Sequence, residues 1–107
     1  MPRWSKIVLL PKQERFLRTL GEQIKLARLR RNLPVEQLAQ RAGIARTTLI
    51  RLEHGDGGAA ISTLAKTLFA LGLEQDILLI AKDDLMGYRM QDAGLLVKKR
   101  ARSKNAK

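Results

Sequence analysis

The sequence contains no cysteine. This absence excludes a disulfide framework and any zinc site built from thiolates, and it suits a reducing cytosol. Aromatic residues are also scarce, because only Trp4, Phe16, Phe69 and Tyr88 are present. The core must therefore consist of Leu, Ile and Ala, a composition that favours helices packed on helices.

Long apolar runs are missing as well. The apolar block at residues 77–81 is far too short to span a bilayer. The block at residues 7–10 is too brief for the core of a secretory signal, and Pro11 ends it. We therefore expect a cytoplasmic protein without membrane contact.

The sequence has no recognisable catalytic set. His54 is the only histidine, and a single histidine without cysteine does not make a metal site. Residues 55–58 are rich in glycine, but they lack the preceding strand and the following Lys-Ser or Lys-Thr pair of a phosphate-binding loop. We expect neither an enzyme nor a bound cofactor or metal.

Positive charge is in large excess. Twenty-one Lys and Arg residues against ten Asp and Glu residues give a net charge of +11. Six of the positive residues lie within residues 95–107, where no acid is present, which predicts a disordered basic tail. The rest of the chain also keeps a positive balance, which favours a phosphate backbone. In residues 74–84 the sign reverses, so this acidic segment should face away from DNA.

Apolar residues at spacings of three and four predict a single all-α domain. Its five helices are expected at residues 12–31, 35–42 and 46–54, from residue 61 or 62 to residue 72, and at residues 75–82. We place this domain at residues 12–82, after an arm or short strand at residues 1–11 and before a C-terminal extension and tail at residues 83–107. Such a strand would need a partner chain, because a lone strand is not stable.

The predicted fifth helix carries a block that is apolar on every side. Its residues Ile77, Leu78, Leu79 and Ile80 are too apolar for a solvated helix of a monomer. We expect them to be buried at a subunit interface and assign them to dimerisation. The apolar residues of the N-terminal arm are the second candidate for that interface.

Residues 35–55 contain the most informative pattern, two short helices hinged at Gly43. Their apolar residues recur at helical spacing and can close into one small core: Leu38, Ala39, Ala42, Ile44, Leu49 and Leu52. The second helix keeps four polar residues on the face that the apolar residues leave open: Arg46, Thr47, Thr48 and Arg51. This layout is typical of a helix-turn-helix that reads DNA.

The sequence over residues 20–73 resembles the phage repressor and Cro helix-turn-helix family, also called the XRE family. The resemblance is carried by Leu38-Ala39-x-x-Ala42-Gly43-Ile44 and Thr48-Leu49-Ile50-Arg51-Leu52-Glu53-x-Gly55. It implies a λ-repressor-like fold and a homodimer that binds double-stranded operator DNA, with reading helices about 34 Å apart. The sequence departs from the family twice, since Pro34-Val35 replace a common Thr-Gln and Ala45 replaces a common capping Ser.

The resemblance also implies roles for individual residues. The residues that would face base edges are Arg46, Thr47, Ile50 and Arg51. Each arginine among them can donate two hydrogen bonds to a guanine. The residues that would contact phosphates, which position a protein without reading sequence, are Arg41 and Thr48. Arg28 and Glu53 would form a structural ion pair.

Residues 84–95, followed by the basic terminus, resemble the C-terminal extension of HipB-like antitoxins, which are encoded beside HipA-type kinase toxins. This resemblance implies a bacterial repressor of its own operon, bound to the nucleoid at its operator. It also implies a HipA-like kinase partner, with the acidic segment at residues 74–84 as the docking surface. Two alternatives stay open: a stand-alone phage-type or metabolic repressor without a toxin, and an adaptor whose helix-turn-helix docks another protein.

Overall fold

The structure is a computed structural model of the single chain and describes residues 7–94. Its helices are α1 (Pro11–Arg30), α2 (Val35–Ala42), α3 (Arg46–Glu53), α4 (Ile61–Leu71), a 3-10 helix (Glu74–Leu79) and α5 (Leu85–Asp92). No strand occurs between residues 7 and 94, so the predicted all-α class is confirmed. The predicted basic tail lies outside the described residues.

Within the described residues, contacts define two units, one that ends at Ile77 and one that begins at Leu78. In the first unit, α1 to α4 surround one aliphatic core. Its buried residues are Ile24, Ala27, Leu33, Leu38, Ala39, Leu49, Leu52, Leu68 and Leu71. Burial of each large aliphatic side chain contributes about 1.5–3 kcal/mol, so the core needs no aromatic residue. Leu38 of α2 and Leu49 of α3 are fully buried, which fixes these two helices against each other.

The start and end of α2 follow from its flanking residues. Pro34 precedes the helix in an extended conformation, and Gly43 ends it in the left-handed region with φ of 73°. Ala45 then precedes α3, and no side chain caps the first turn of that helix. Because Ala45 stands where the family commonly has a capping serine, the first N–H groups of α3 have no side-chain acceptor at this position.

Two glycines allow α1 and the end of α3 to meet backbone to backbone. A Cβ atom on Gly21 would lie 2.6 Å from the carbonyl oxygen of Glu53, and one on Gly55 would lie 2.7 Å from the Cα of Arg18. Atoms in a packed interior do not approach that closely, so a larger residue must push the two helices apart. Gly55 also has φ of 78°, which a side chain rarely tolerates.

Gly55→Ala is expected to destabilise the protein more than Gly72→Ala. Both glycines have φ of 78°, so the cost of the left-handed conformation, roughly 1–2 kcal/mol, is common to both variants. A Cβ at Gly72 meets no atom within 4 Å, whereas at Gly55 it meets the backbone of α1. That overlap should add about 1–3 kcal/mol. Urea unfolding measures both losses, and equal losses would contradict the close approach of α1 and α3.

The predicted fifth helix at residues 75–82 is wrong in type and extent. The chain forms a 3-10 helix at Glu74–Leu79 instead, and Ala81 has a positive φ of 62°, which prevents an α-helix from continuing. Ile77 alone in the apolar block packs against the core of the first unit. Leu78, Leu79 and Ile80 are exposed in the single chain. One core contact does not provide the continuous stripe that stabilises an α-helix.

Helix α5 was not predicted. Asp84 caps its N-terminus, because its Oδ1 accepts a hydrogen bond of 2.9 Å from the backbone N–H of Gly87. None of the eight residues of α5 is buried, so it lacks the core-facing stripe from which a helix is predicted. Residues 7–10 form no strand in the single chain, and pairing of that segment with a partner chain stays a prediction.

Candidate nucleic-acid interface

Helix α3 is divided between a buried side and an accessible side. Its buried residues are Leu49, Leu52 and Glu53. Arg46 and Thr47 are exposed, while Thr48, Ile50 and Arg51 are half-buried. The predicted base-contacting residues therefore share the part of α3 that the core does not cover.

Arg46 forms an ion pair with Glu36 of α2. The Nε of Arg46 lies 2.8 Å from Oε2 of Glu36, and the two side chains are 55% and 66% exposed. A hydrogen bond from its own backbone N–H, followed by the one from Arg46, holds the pKa of Glu36 below its usual value. Glu36 thus stays ionised to a lower pH, and its contribution to stability is lost only as the pH falls through that lowered pKa.

Arg51 forms a second ion pair, with Asp56 in the loop after α3. Its Nε and Nη2 each lie 2.8 Å from Oδ2 of Asp56. The Asp56 side chain is only 4% exposed. Since charged hydrogen bonds strengthen away from water, this pair is held more firmly than the exposed one at Arg46.

The predicted ion pair residues, Arg28 and Glu53, meet beneath α3. Arg28 donates from Nε at 2.7 Å and from Nη2 at 3.1 Å to the two carboxylate oxygens of Glu53. Its Nη1 donates to the carbonyl oxygen of Leu33 at 2.9 Å. The side chains are 7% and 5% exposed, so the pair joins α1 to the end of α3 inside the domain.

In this arrangement, α3 follows α2 after a turn at the left-handed Gly43. One side of α3 is accessible, and the other is packed on the core. Residues 24–73 match the helix-turn-helix family model. The match runs from the second half of α1 to just beyond α4 and covers slightly less than half of the chain. No curated protein matches the chain.

The helix-turn-helix match supports a DNA-binding transcription regulator, and it describes a regulatory domain rather than a catalytic one. Together with the helices, it is consistent with the predicted λ-repressor-like domain. Over residues 24–73 this match agrees with the resemblance to repressor and Cro proteins that the sequence indicates.

The remaining predicted residues of the helix-turn-helix lie around α3. Arg41 is exposed in the last turn of α2. Thr48 lies in the first turn of α3, where backbone N–H groups point toward the helix start. Both positions are compatible with a phosphate contact, because helix N-termini and basic side chains attract anions.

Two residues of the helix-turn-helix surface were missed by sequence reasoning, Glu36 and Asp56. Glu36 is ten residues from its partner and Asp56 is five residues from its own. Residues that are neighbours on one helix are three or four positions apart, so the periodicity of the sequence does not predict either pair. The turns around Gly43 and Gly55 bring the partners together.

Two further features are absent from residues 7–94. No group of three or more His, Cys, Asp or Glu side chains in that range is arranged to hold a metal ion. Within the same range, no helix has the length and apolar character to cross a membrane.

Proposed function

We propose that the protein is a sequence-specific transcriptional repressor that binds double-stranded operator DNA through α3. The observation that carries this proposal is the placement of Arg46 and Arg51 on the accessible side of the second helix of a helix-turn-helix. A net charge of +11 supports it, because a positive protein is attracted to DNA before any base is read.

If base contact displaces Glu36, Arg46 exchanges an exposed ion pair for a DNA partner. Such an exposed, solvent-screened ion pair contributes little to stability. A good bidentate pair between arginine and guanine discriminates by about 1–3 kcal/mol. The exchange is therefore favourable, and the ion pair does not prevent Arg46 from reading a base. Thr47 and Ile50 would then line the same groove, with Arg41 and Thr48 on phosphates.

The protein is proposed to bind DNA as a homodimer. A two-fold dimer would set two copies of α3 about 34 Å apart, at successive major grooves of one face of the duplex. The exposed Leu78, Leu79 and Ile80 support this proposal, because contiguous apolar surface is typical of subunit interfaces.

Selection of bound duplexes from a random DNA pool at fixed salt tests this proposal. The full chain should enrich a palindromic site whose half-sites are centred about 10 base pairs apart or a multiple of that distance. A single enriched half-site would contradict the dimer alone. A pool that stays random after repeated selection would contradict sequence-specific binding altogether.

The proposed biological role is that of an antitoxin, which represses its own operon in the bacterial cytoplasm and binds a HipA-like kinase. The support is the resemblance of residues 84–95 to HipB-like extensions, together with the acidic segment at residues 74–84. A kinase-like neighbouring reading frame whose product co-purifies with this protein is the expected result. A neighbour unrelated to kinases would favour the stand-alone repressor instead.

A further inference from the structure

Helices α1 to α4 all end in the same hydrogen-bonded turn. In each, a residue with positive φ is followed by a residue whose N–H donates to the carbonyl five positions back. The left-handed residues are Asn32, Gly43, Gly55 and Gly72, with φ of 54°, 73°, 78° and 78°. The donors that follow them are Leu33, Ile44, Asp56 and Leu73, at 3.3, 3.0, 3.1 and 2.8 Å. This is the Schellman motif, which places the donor residue over the last turn of the helix.

One of the four turns differs in the chemistry of its donor residue. Leu33, Ile44 and Leu73 are apolar and pack in or against the core, as the residue at this position of the motif commonly does. Asp56 is a carboxylate, yet its side chain is only 4% exposed. A buried charge is unfavourable without a partner, so the turn after α3 depends on the ion pair between Asp56 and Arg51.

Asp56 is fixed through its backbone and its side chain. Its N–H donates to the carbonyl oxygen of Arg51, and its own carbonyl accepts from Ala59 at 3.1 Å. Its Oδ1 accepts from the N–H of Gly58 at 3.0 Å. Its Oδ2 faces Nε and Nη2 of Arg51. The hydrogen bonds of the turn therefore fix the Asp56 carboxylate, and the carboxylate restricts the orientation of the Arg51 guanidinium.

We propose that Asp56 is a positioning residue for DNA recognition: it holds the guanidinium of Arg51 in the orientation in which α3 presents it to a base. The inference rests on the proposed function. Arginine loses much rotamer freedom when it is immobilised at an interface, and a side chain that is already ordered loses less. Asp56 also adds a negative charge at the end of α3, which should weaken attraction to any DNA sequence. Asp56 should therefore lower general affinity while it raises selectivity at one base pair.

The chain offers a matched control in Glu36. It also pairs with an arginine of α3, but its side chain is 66% exposed, so water screens that pair. Glu36→Gln removes the same charge as Asp56→Asn. If charge alone mattered, the two variants would change DNA binding alike.

The experiment uses the full chain and the duplex that the wild-type protein selects from a random pool. Arg51→Ala first identifies the base pair at which preference depends on Arg51. Affinities are then measured for that duplex and for duplexes with each other base pair at this position, at fixed salt. Asp56→Asn keeps an oxygen for the N–H of Gly58, and thermal unfolding checks that each variant is folded.

Asp56→Asn is expected to lower the preference at the Arg51 position by about fivefold to tenfold. Preference at the position read by Arg46 should stay unchanged, and affinity for unrelated duplex should stay equal or increase. Asp56→Glu, which keeps the charge but moves it by one methylene, should lower the same preference. Glu36→Gln should keep it within about twofold of wild type. In an Arg51→Ala background, Asp56→Asn should have no further effect on preference.

Three results would overturn the inference. In the first, Asp56→Asn and Asp56→Glu keep the wild-type preference. In the second, preference falls equally at the Arg46 and Arg51 positions, which indicates a general structural effect. In the third, Asp56→Asn tightens binding to the selected site alone, which means that Asp56 holds Arg51 away from DNA. A wild-type protein that binds all duplexes equally would instead refute the proposed function on which the inference rests.

Discussion

Replacement of both Arg46 and Arg51 by Ala is expected to abolish most of the preference of the protein for its selected DNA site. Each arginine can discriminate its base by about 1–3 kcal/mol, so the two together should account for about 2–6 kcal/mol per protomer. The affinity ratio between the selected duplex and a scrambled one should fall by about 30-fold or more. Titration of the full chain with both duplexes at the same salt concentration measures this ratio.

Arg41→Ala provides the matched control for that experiment. Arg41 is exposed at the end of α2 and is predicted to contact phosphate rather than a base. Its removal should weaken binding to both duplexes alike and reduce the slope of log affinity against log salt by about 0.9 per protomer. A double arginine variant of α3 that behaved in the same way would show that Arg46 and Arg51 act only as charges.

Arg28→Met is expected to cause a large loss of stability. It leaves the carboxylate of Glu53, which is 5% exposed, without its guanidinium partner. Loss of one member of a buried ion pair costs about 3–5 kcal/mol. Because small domains are stable by only about 5–15 kcal/mol, the melting temperature should fall by more than about 10 °C. Thermal and urea unfolding followed by circular dichroism measure the loss.

The control for Arg28→Met is the double variant Arg28→Met/Glu53→Leu. It removes both charges and should recover most of the lost stability, since apolar replacements of a buried ion pair are often neutral or stabilising. Glu36→Gln removes one member of an exposed pair and should leave the stability close to that of the wild type. A loss below about 1 kcal/mol for Arg28→Met would contradict the role of this pair in joining α1 to α3.

Much of the fold could be predicted because the sequence marks its own helix ends. Pro34 and Gly43 delimit α2, and its predicted bounds at residues 35–42 are confirmed. The bounds of α1, α3 and α4 were also close, since each carries an apolar stripe that faces a shared core. The segment after Gly72 was predicted poorly because its apolar residues do not share one buried face. In that segment a cap at Asp84 and the left-handed Ala81 define the local structure.

The candidate interface was predicted in its exposed part only. The position of Arg46 and Arg51 follows from the spacing of the buried Leu49 and Leu52, which leaves the other side of α3 accessible. Their carboxylate partners do not follow from spacing. Asp56 reaches Arg51 only because Gly55 turns the chain back over the end of α3, so this contact depends on three-dimensional geometry.

The most direct test of the central claim, that α3 contacts base edges, replaces each guanine of the selected duplex one at a time by 7-deazaguanine. This change removes only the N7 acceptor in the major groove. The wild-type protein should lose about fivefold in affinity at one or more guanines of each half-site, as expected for one lost hydrogen bond. Each of the variants Arg46→Ala and Arg51→Ala should lose this sensitivity at the guanine that the replaced arginine contacts. If both variants remain as sensitive as wild type at every guanine, α3 does not read the bases and the account is wrong.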